Sequence, residues 1–377
     1  MLALRLARGT HPLVLLRRLM VAAASAGVGF LLLGTLTYAS AHPGHSSHAL
    51  LRLLWALLPL AAAVYFAVSV ARTDPSTRPS PGLEAAGLGP VSLTALAAVS
   101  TAVSCTLGSV LALLFFLHLR GDITGLPFDG AAHQLLSAQA PLPLGAALTL
   151  LALTPLLAAA GSAWTMRPRT ARPAELTAPT ALPWGIALIA AGLATESYTS
   201  HAAATAAFPL PGHFDGSPLG VLTGWSLTAL GLAAAGPGLT YTTGRVLQSL
   251  HPGAVRLLAG RALQAEARRI GRPLGVVCAV ASGVIAAASV YTPGPGAFGP
   301  LTGLGAAVVM TCAVATLLTA ALESKQSRAA TTAALVQLGA PAQLLRKATA
   351  LRVTALLAVF APLTWAVAEL AALPLTG

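Results

Sequence analysis

Long apolar stretches alternate with short polar ones from one end of this chain to the other, and that alternation sets the architecture. Nine runs, at 19–40, 49–71, 91–118, 142–165, 182–205, 217–240, 273–292, 299–322 and 347–372, carry almost no charge. A helix rises about 1.5 Å per residue, so a run of about twenty residues crosses a hydrocarbon core roughly 30 Å thick. The pattern therefore predicts an all-α fold: a polytopic transmembrane helical bundle of about nine spans, with eight and ten as the alternatives.

Composition agrees. Hydrophobic residues make up 56% of the 377 positions and charged residues only 8%, against roughly a quarter charged in soluble domains. The net charge of +12 would suggest nucleic acid in a soluble protein, but its distribution excludes that partner. Arg5, Arg8, Arg17 and Arg18 precede the first run, Arg72 and Arg78 follow the second, and Arg167, Arg169 and Arg172 follow the fourth. Arg245, Arg256, Arg261, Arg268, Arg269 and Arg272 come next, then Lys325, Arg328, Arg346, Lys347 and Arg352. All of these fall on one side of a nine-span topology, and only Arg52 and Arg120 fall on the other. Basic residues mark the cytoplasmic side, so the expected location is the plasma membrane, with the N-terminus cytoplasmic and the C-terminus outside. Membrane lipids are the expected surroundings. Cys105, Cys278 and Cys312 lie within apolar runs and imply no disulfide framework.

The chain also resembles itself. Leu88-Gly89-Pro90 leads into the third run, and Leu338-Gly339-Ala340-Pro341 leads into the ninth, 250 positions later. Arg17-Arg18 before the first run matches Arg268-Arg269 before the seventh, and Gly29 aligns with Gly283. Spans one to three are thus expected to recur as spans seven to nine, in the same membrane orientation. Arg17-Arg18 before an apolar run ending in Ala39-Ser40-Ala41 also fits a cleaved signal peptide, but the repeat favours a retained first span.

Two cytoplasmic stretches carry a family resemblance. Residues 323–355, ESKQSRAATTAALVQLGAPAQLLRKATALRVTA, and residues 236–272, GPGLTYTTGRVLQSLHPGAVRLLAGRALQAEARRIGR, are similar to the coupling and linker segments of the FtsX-like permease family of ABC transporters. The resemblance implies a membrane-spanning permease subunit. It would pair with a second permease copy or paralogue and with a cytoplasmic ABC ATPase that binds ATP and Mg. Leu88, Gly89, Leu338, Gly339, Ala340 and Pro341 would couple to that ATPase, and the cargo would be an amphiphile such as a lipid, peptide or antibiotic. The chain departs from the family in two ways: the loops at 41–48 and 293–298 are too short for a large outer domain, and nine spans fall one short of a duplicated ten-helix permease. The implied division is a first membrane half at 1–166 with a coupling segment near 72–90 and central spans at 167–240. A basic amphipathic linker at 241–272 and a second repeat at 273–377, with a coupling segment at 323–346, complete it.

Local chemistry fits these roles without proving them. Thr331–Leu338 suits a short helix, Gly339 a left-handed helix stop, and Pro341 the start of the next helix. The apolar and basic positions of 245–272 suit a helix lying on an anionic inner surface. A phosphate-binding loop needs Gly-Lys followed by Ser or Thr, and neither Lys325 nor Lys347 follows a glycine. No cofactor and no enzymatic activity are therefore expected of this chain itself. Glu196 and Glu369, within apolar runs, are candidates for a substrate or proton path, because an intramembrane carboxylate is costly unless it has a role. His42, His45 and His48 are weak candidates for metal binding, with no resident metal expected. A proton-coupled secondary transporter using Glu196, and a non-transporting sensor with a histidine-rich outer face, are the alternative functions. The five tryptophans read as interfacial anchors, and Gly299 with Gly303 forms a G-x-x-x-G spacing suited to close helix approach.

Overall fold

The structure, a computed structural model, describes residues 12–44, 46–74, 89–123, 125, 130–167, 179–201, 218–249, 253–290 and 299–376, and each of the nine apolar runs forms a helix over its described residues. Among the described residues the helices are α1 (Pro12–Ala41), α2 (Ser46–Thr73), α3 (Pro90–Arg120), α4 (Leu144–Thr165) and α5 (Leu182–His201). They continue with α6 (Pro218–Ser249), α7 (Ala254–Val290), α8 (Pro300–Ser327), α9 (Ala329–Gln337) and α10 (Ala342–Thr376). No strand occurs among the described residues. Seven helical stretches are long and apolar enough to cross a membrane: α1, α2, α3, α4, α7, α8 run on through α9, and α10. This is the helix content of a multi-pass membrane protein. The two predicted spans outside the seven are α5, whose predicted run at 182–205 extends past the described residues, and α6, where glycine, serine and threonine dilute the leucines and valines.

The chain forms two compact units: Met1–Ala171 with Phe298–Cys312, and Arg172–Ala297 with Ala313–Gly377. In the first unit α1 packs on α3, α2 and α4, and α3 packs on α4. Bulky side chains fill its core, where Leu33, Phe116, Leu136 and Leu151 are buried together with Ala112 and Ala147. Phe30 meets Phe116 edge to face, with ring centroids 5.4 Å apart. Leu136 comes from the connection between α3 and α4, and Arg120 fixes that connection by donating to the carbonyls of Ala138, at 3.2 Å, and Ala140. Short polar links lie between the helices. Ser25 on α1 donates to the Cys105 carbonyl at 2.8 Å, and Ser109 on α3 donates to the Leu151 carbonyl at 3.1 Å.

The second unit packs α5 on α6, α6 on α7 and α7 on α10. Here small residues bring backbones together. A Cβ on Gly185 would meet Ala235, and one on Gly231 would meet the Gly185 carbonyl and the Ile189 amide. Between α6 and α7, a Cβ on Gly236 would strike the Gly271 carbonyl. Association in lipid rests on such van der Waals contact, because the surrounding tails are as apolar as leucine.

Two features of the structure cut across the domain division expected from the sequence. Within the 241–272 stretch, residues up to Ser249 continue α6 and residues from Ala254 continue without a break into α7. Gly244 and Gly260 let the two backbones approach, and Ala259, Leu263 and Ala267 are buried, while Val246 and Leu257 stay exposed. With 37 residues, α7 is about 55 Å long, nearly twice the hydrocarbon thickness. Residues 273–377 also do not stay together: 298–312 belong to the first unit and the remainder to the second. The Gly299 and Gly303 pair, expected at a helix contact, has nothing within 4 Å of either added Cβ.

Candidate functional site

The most distinctive chemistry lies where α8 ends and α9 begins. Around this elbow the chain has just left a long apolar helix, and its charged residues converge. Glu266, on α7, is buried and engaged through both carboxylate oxygens. Oε2 accepts from the Ser324 hydroxyl at 2.7 Å, and Oε1 pairs with Nε of Arg328. Arg328 also donates through Nη2 to the Ser324 hydroxyl at 2.6 Å. One turn along α7, Arg269 donates to the Ser327 hydroxyl at 3.0 Å. Burying a carboxylate costs several kcal/mol unless partners replace its water, and this cluster replaces it.

Arg328 is also the residue that precedes α9, with helical backbone angles of φ −91° and ψ −6°. The nine-residue helix that follows has no buried residue, and its apolar side chains stand in the open, Val336 at 54% and Leu338 at 84% exposure. Gly339 ends it in the left-handed region at φ +87°. The Ala340 amide bonds the Leu335 carbonyl and the Gly339 amide bonds the Val336 carbonyl, each at 3.0 Å, the paired geometry of a glycine-terminated helix. Pro341 then opens the way into α10, with the Leu344 amide on its carbonyl. Four of the six predicted coupling residues thus form one exposed elbow. Of the other two, Gly89 is an exposed, extended residue ahead of α3, and Leu88 lies outside the described residues.

The first unit holds a counterpart cluster. Arg18 on α1 pairs with Asp74 at 2.6 Å, just past the end of α2, and Arg17 donates to the Thr73 hydroxyl at 3.3 Å. Asp74 is buried, so here too a carboxylate is held by an arginine at the end of a neighbouring helix.

The predicted carboxylates do not share a site. Glu196 is fully buried on α5, where the Trp225 indole of α6 donates to it at 2.5 Å, whereas Glu369 is exposed on α10. Trp225 is accordingly a partner within the bundle, unlike Trp164, Trp184 and Trp365, which are more than half exposed. His42 stacks on Tyr38, with ring centroids 4.5 Å apart. His45 and the His48 side chain lie outside the described residues. Among the described residues no group of three His, Cys, Asp or Glu side chains is placed to hold a metal.

Glu266 and Ser324 were missed from the sequence. A signal was present, since Glu266 is the one acid in the arginine-rich stretch 245–272, and a lone acid there needs a partner. Its partner lies 58 positions away in Ser324, and no local pattern points that far. Compared with known proteins, the chain matches no family model, no curated protein and no solved structure.

Proposed function

We propose that this chain is the membrane-spanning permease subunit of an ABC transporter of FtsX-like type. The observation that carries the reading is α9, a short helix with its apolar side chains exposed, set outside the long apolar helices and closed by the Gly339 turn. Exposed Val336 on a helix with no buried residue, and exposed Leu338 just after it, suit a docking contact for a separate protein. A cytoplasmic ABC ATPase is that protein, binding ATP and Mg itself. Its nucleotide-driven movement reaches the permease through Leu338, Gly339, Ala340 and Pro341. A second permease copy or paralogue completes the pair, and an amphiphile is the cargo.

In this reading α5 and α6 also cross the membrane, giving nine spans, and spans one to three recur as seven to nine. Matched contacts support the repeat. Arg17 to Thr73 and Arg269 to Ser327 are arginine-to-hydroxyl bonds of the same kind, from the matched arginine pairs to the ends of the following helices, spanning 56 and 58 positions. The helices α1 and α3 run parallel, with Ser25 at Cys105 and Phe30 at Phe116. Likewise α7 and α10 run parallel, with Cys278 at Thr364 and Ala286 at Ala371. The basic ends then face the cytoplasm. The two exceptions have other work: Arg120 is buried on loop carbonyls, and Arg52 lies 3.5 Å from the centroid of the Tyr38 ring.

The test is co-purification. Purified from its native membranes in mild detergent, the full chain retains an ABC ATPase, and Leu338→Asp reduces the retained amount at least tenfold while the permease remains folded. Equal retention by wild type and variant overturns the docking role of α9, and no retention by wild type overturns the permease reading.

A further inference from the structure

The exposed helix α9 needs a mechanical connection to the rest of its unit, and its own nine residues, none of them buried, do not supply one. The close helix pairs of this unit are α5 with α6, α6 with α7 and α7 with α10, and α8 is absent from them. What reaches from the end of α8 to α7 is the polar cluster: Glu266 to Ser324 and Arg328, and Arg269 to Ser327. The α7 helix is in turn held backbone to backbone on α6, through Gly236 against Gly271 and Leu232 against Gly275.

We propose that Glu266 is a positioning residue, a latch that ties the α8–α9 elbow to α7, so that a load on α9 is delivered to the α6–α7 hairpin rather than along α8 alone. The inference deepens the permease reading and rests on it for the source of the load. Three features point to Glu266 rather than to the other polar residues. It is the buried charge of the cluster, beside the uncharged Ser324, whereas Arg328 and Arg269 reach toward the surface. It takes Ser324 and Arg328 on its two separate oxygens, which fixes direction as well as distance. Arg328, its partner, is the junction residue itself, so any tilt of α9 about the elbow must stretch or break this pair. Arg269 with Ser327 lies at the exposed rim, where screening by water leaves it a minor part.

Two measurements on the full chain test the latch, and they separate its failure from that of the permease reading. The first needs no ATPase. Spin labels at Val336→Cys on α9 and Arg261→Cys on α7 are placed in a chain whose three native cysteines are replaced by alanine, reconstituted in lipid nanodiscs. The label-to-label distance distribution is narrow with Glu266 present and at least doubles in width in Glu266→Gln. An unchanged width overturns the latch whatever the partner is. The second uses the co-purified complex. Glu266→Arg and Arg328→Glu each keep the ATPase bound, yet lose at least tenfold of the permease-dependent change in ATP turnover. The double variant E266R/R328E, which restores opposite charges in exchanged places, recovers that change to within threefold of wild type. Because the single variants still hold the ATPase, a loss of coupling that reversal restores belongs to the pair and not to the general fold, so a double variant no better than its parents overturns the proposal. So do single variants that keep full coupling. If the single variants do not fold, Ser324→Ala, which removes one of the two contacts of Glu266, gives an intermediate loss in the same assay, and full coupling in that variant overturns the proposal.

Discussion

The two compact units solve the same problem, holding apolar helices together in an apolar solvent, with different materials. In the first, an added Cβ on glycine mostly meets side chains: Val308 at Gly27, Leu151 and Ala112 at Gly29, Val68 at Gly161. In the second it meets backbone: Ala235 at Gly185, Ile189 at Gly231, Gly271 at Gly236, Leu232 at Gly275. The exceptions are Gly108 in the first unit, against the Ala22 carbonyl, and in the second Gly238, against the Leu182 side chain, and Gly192, nearest the Thr228 hydroxyl. Side chains can change rotamer and make room, whereas backbone in a helix cannot move without moving the helix. The first unit is therefore built to repack and the second to move as a block. In the proposed permease role a block is what a unit carrying the exposed elbow needs, because a displacement delivered to α7 would be shared by α6 and α5 through those backbone contacts.

The largest expected effect follows from that difference. In Gly236→Val the new side chain overlaps the Gly271 carbonyl, a backbone atom on α7, and the α6–α7 pair must separate. Overpacking costs typically about 1–3 kcal/mol and occasionally more. With no flexible neighbour to yield, more than about 3 kcal/mol is expected here, read as a loss of folded protein by thermal unfolding in detergent. A variant that unfolds with the wild-type midpoint would erase the distinction between the units.

The first unit is tested by subtraction. Phe116 is completely buried and makes the edge-to-face contact with Phe30. Truncating buried aromatics costs roughly 3–5 kcal/mol in soluble cores. In lipid the transfer part of that cost falls away, since the unfolded helix still faces apolar tails. The same thermal unfolding measurement should show a loss of about 2 kcal/mol for Phe116→Ala, smaller than for Gly236→Val. The reverse order would mean that side-chain interlock, not backbone contact, is the stronger device in this protein.

The helices were legible in the sequence because span length and low charge are local properties, and every predicted apolar run forms a helix over its described residues. The Gly339 stop was legible for the same reason, since a left-handed helix end needs glycine and little else. The start of α7 was not. Its arginines at 256–272 read as a surface helix, and only the approach of Gly244 to Gly260 turns that stretch into half of a hairpin. Glycines were too frequent, at 36 in the chain, for spacing to separate those at contacts from those in the open. The clusters at Glu266 and Asp74 were invisible because each joins residues more than fifty positions apart. Long-range pairing is a property of the packed bundle, and no window along the chain contains it.

The smallest expected effect is the most informative about glycine. Gly299 and Gly303 have the spacing most readily taken for a helix contact, yet neither added Cβ meets an atom within 4 Å. Gly303→Leu places a large side chain in that open space on α8 and replaces a poor helix former with a good one. Away from packed neighbours, substitutions stay within about 0.5 kcal/mol, so the thermal unfolding midpoint of the isolated permease should be unchanged or slightly raised. The same variant in the assembled complex should behave identically if lipid covers this face. A loss confined to the complex would show that a second permease closes on it, extending backbone-to-backbone contact from the second unit to the surface where two chains meet.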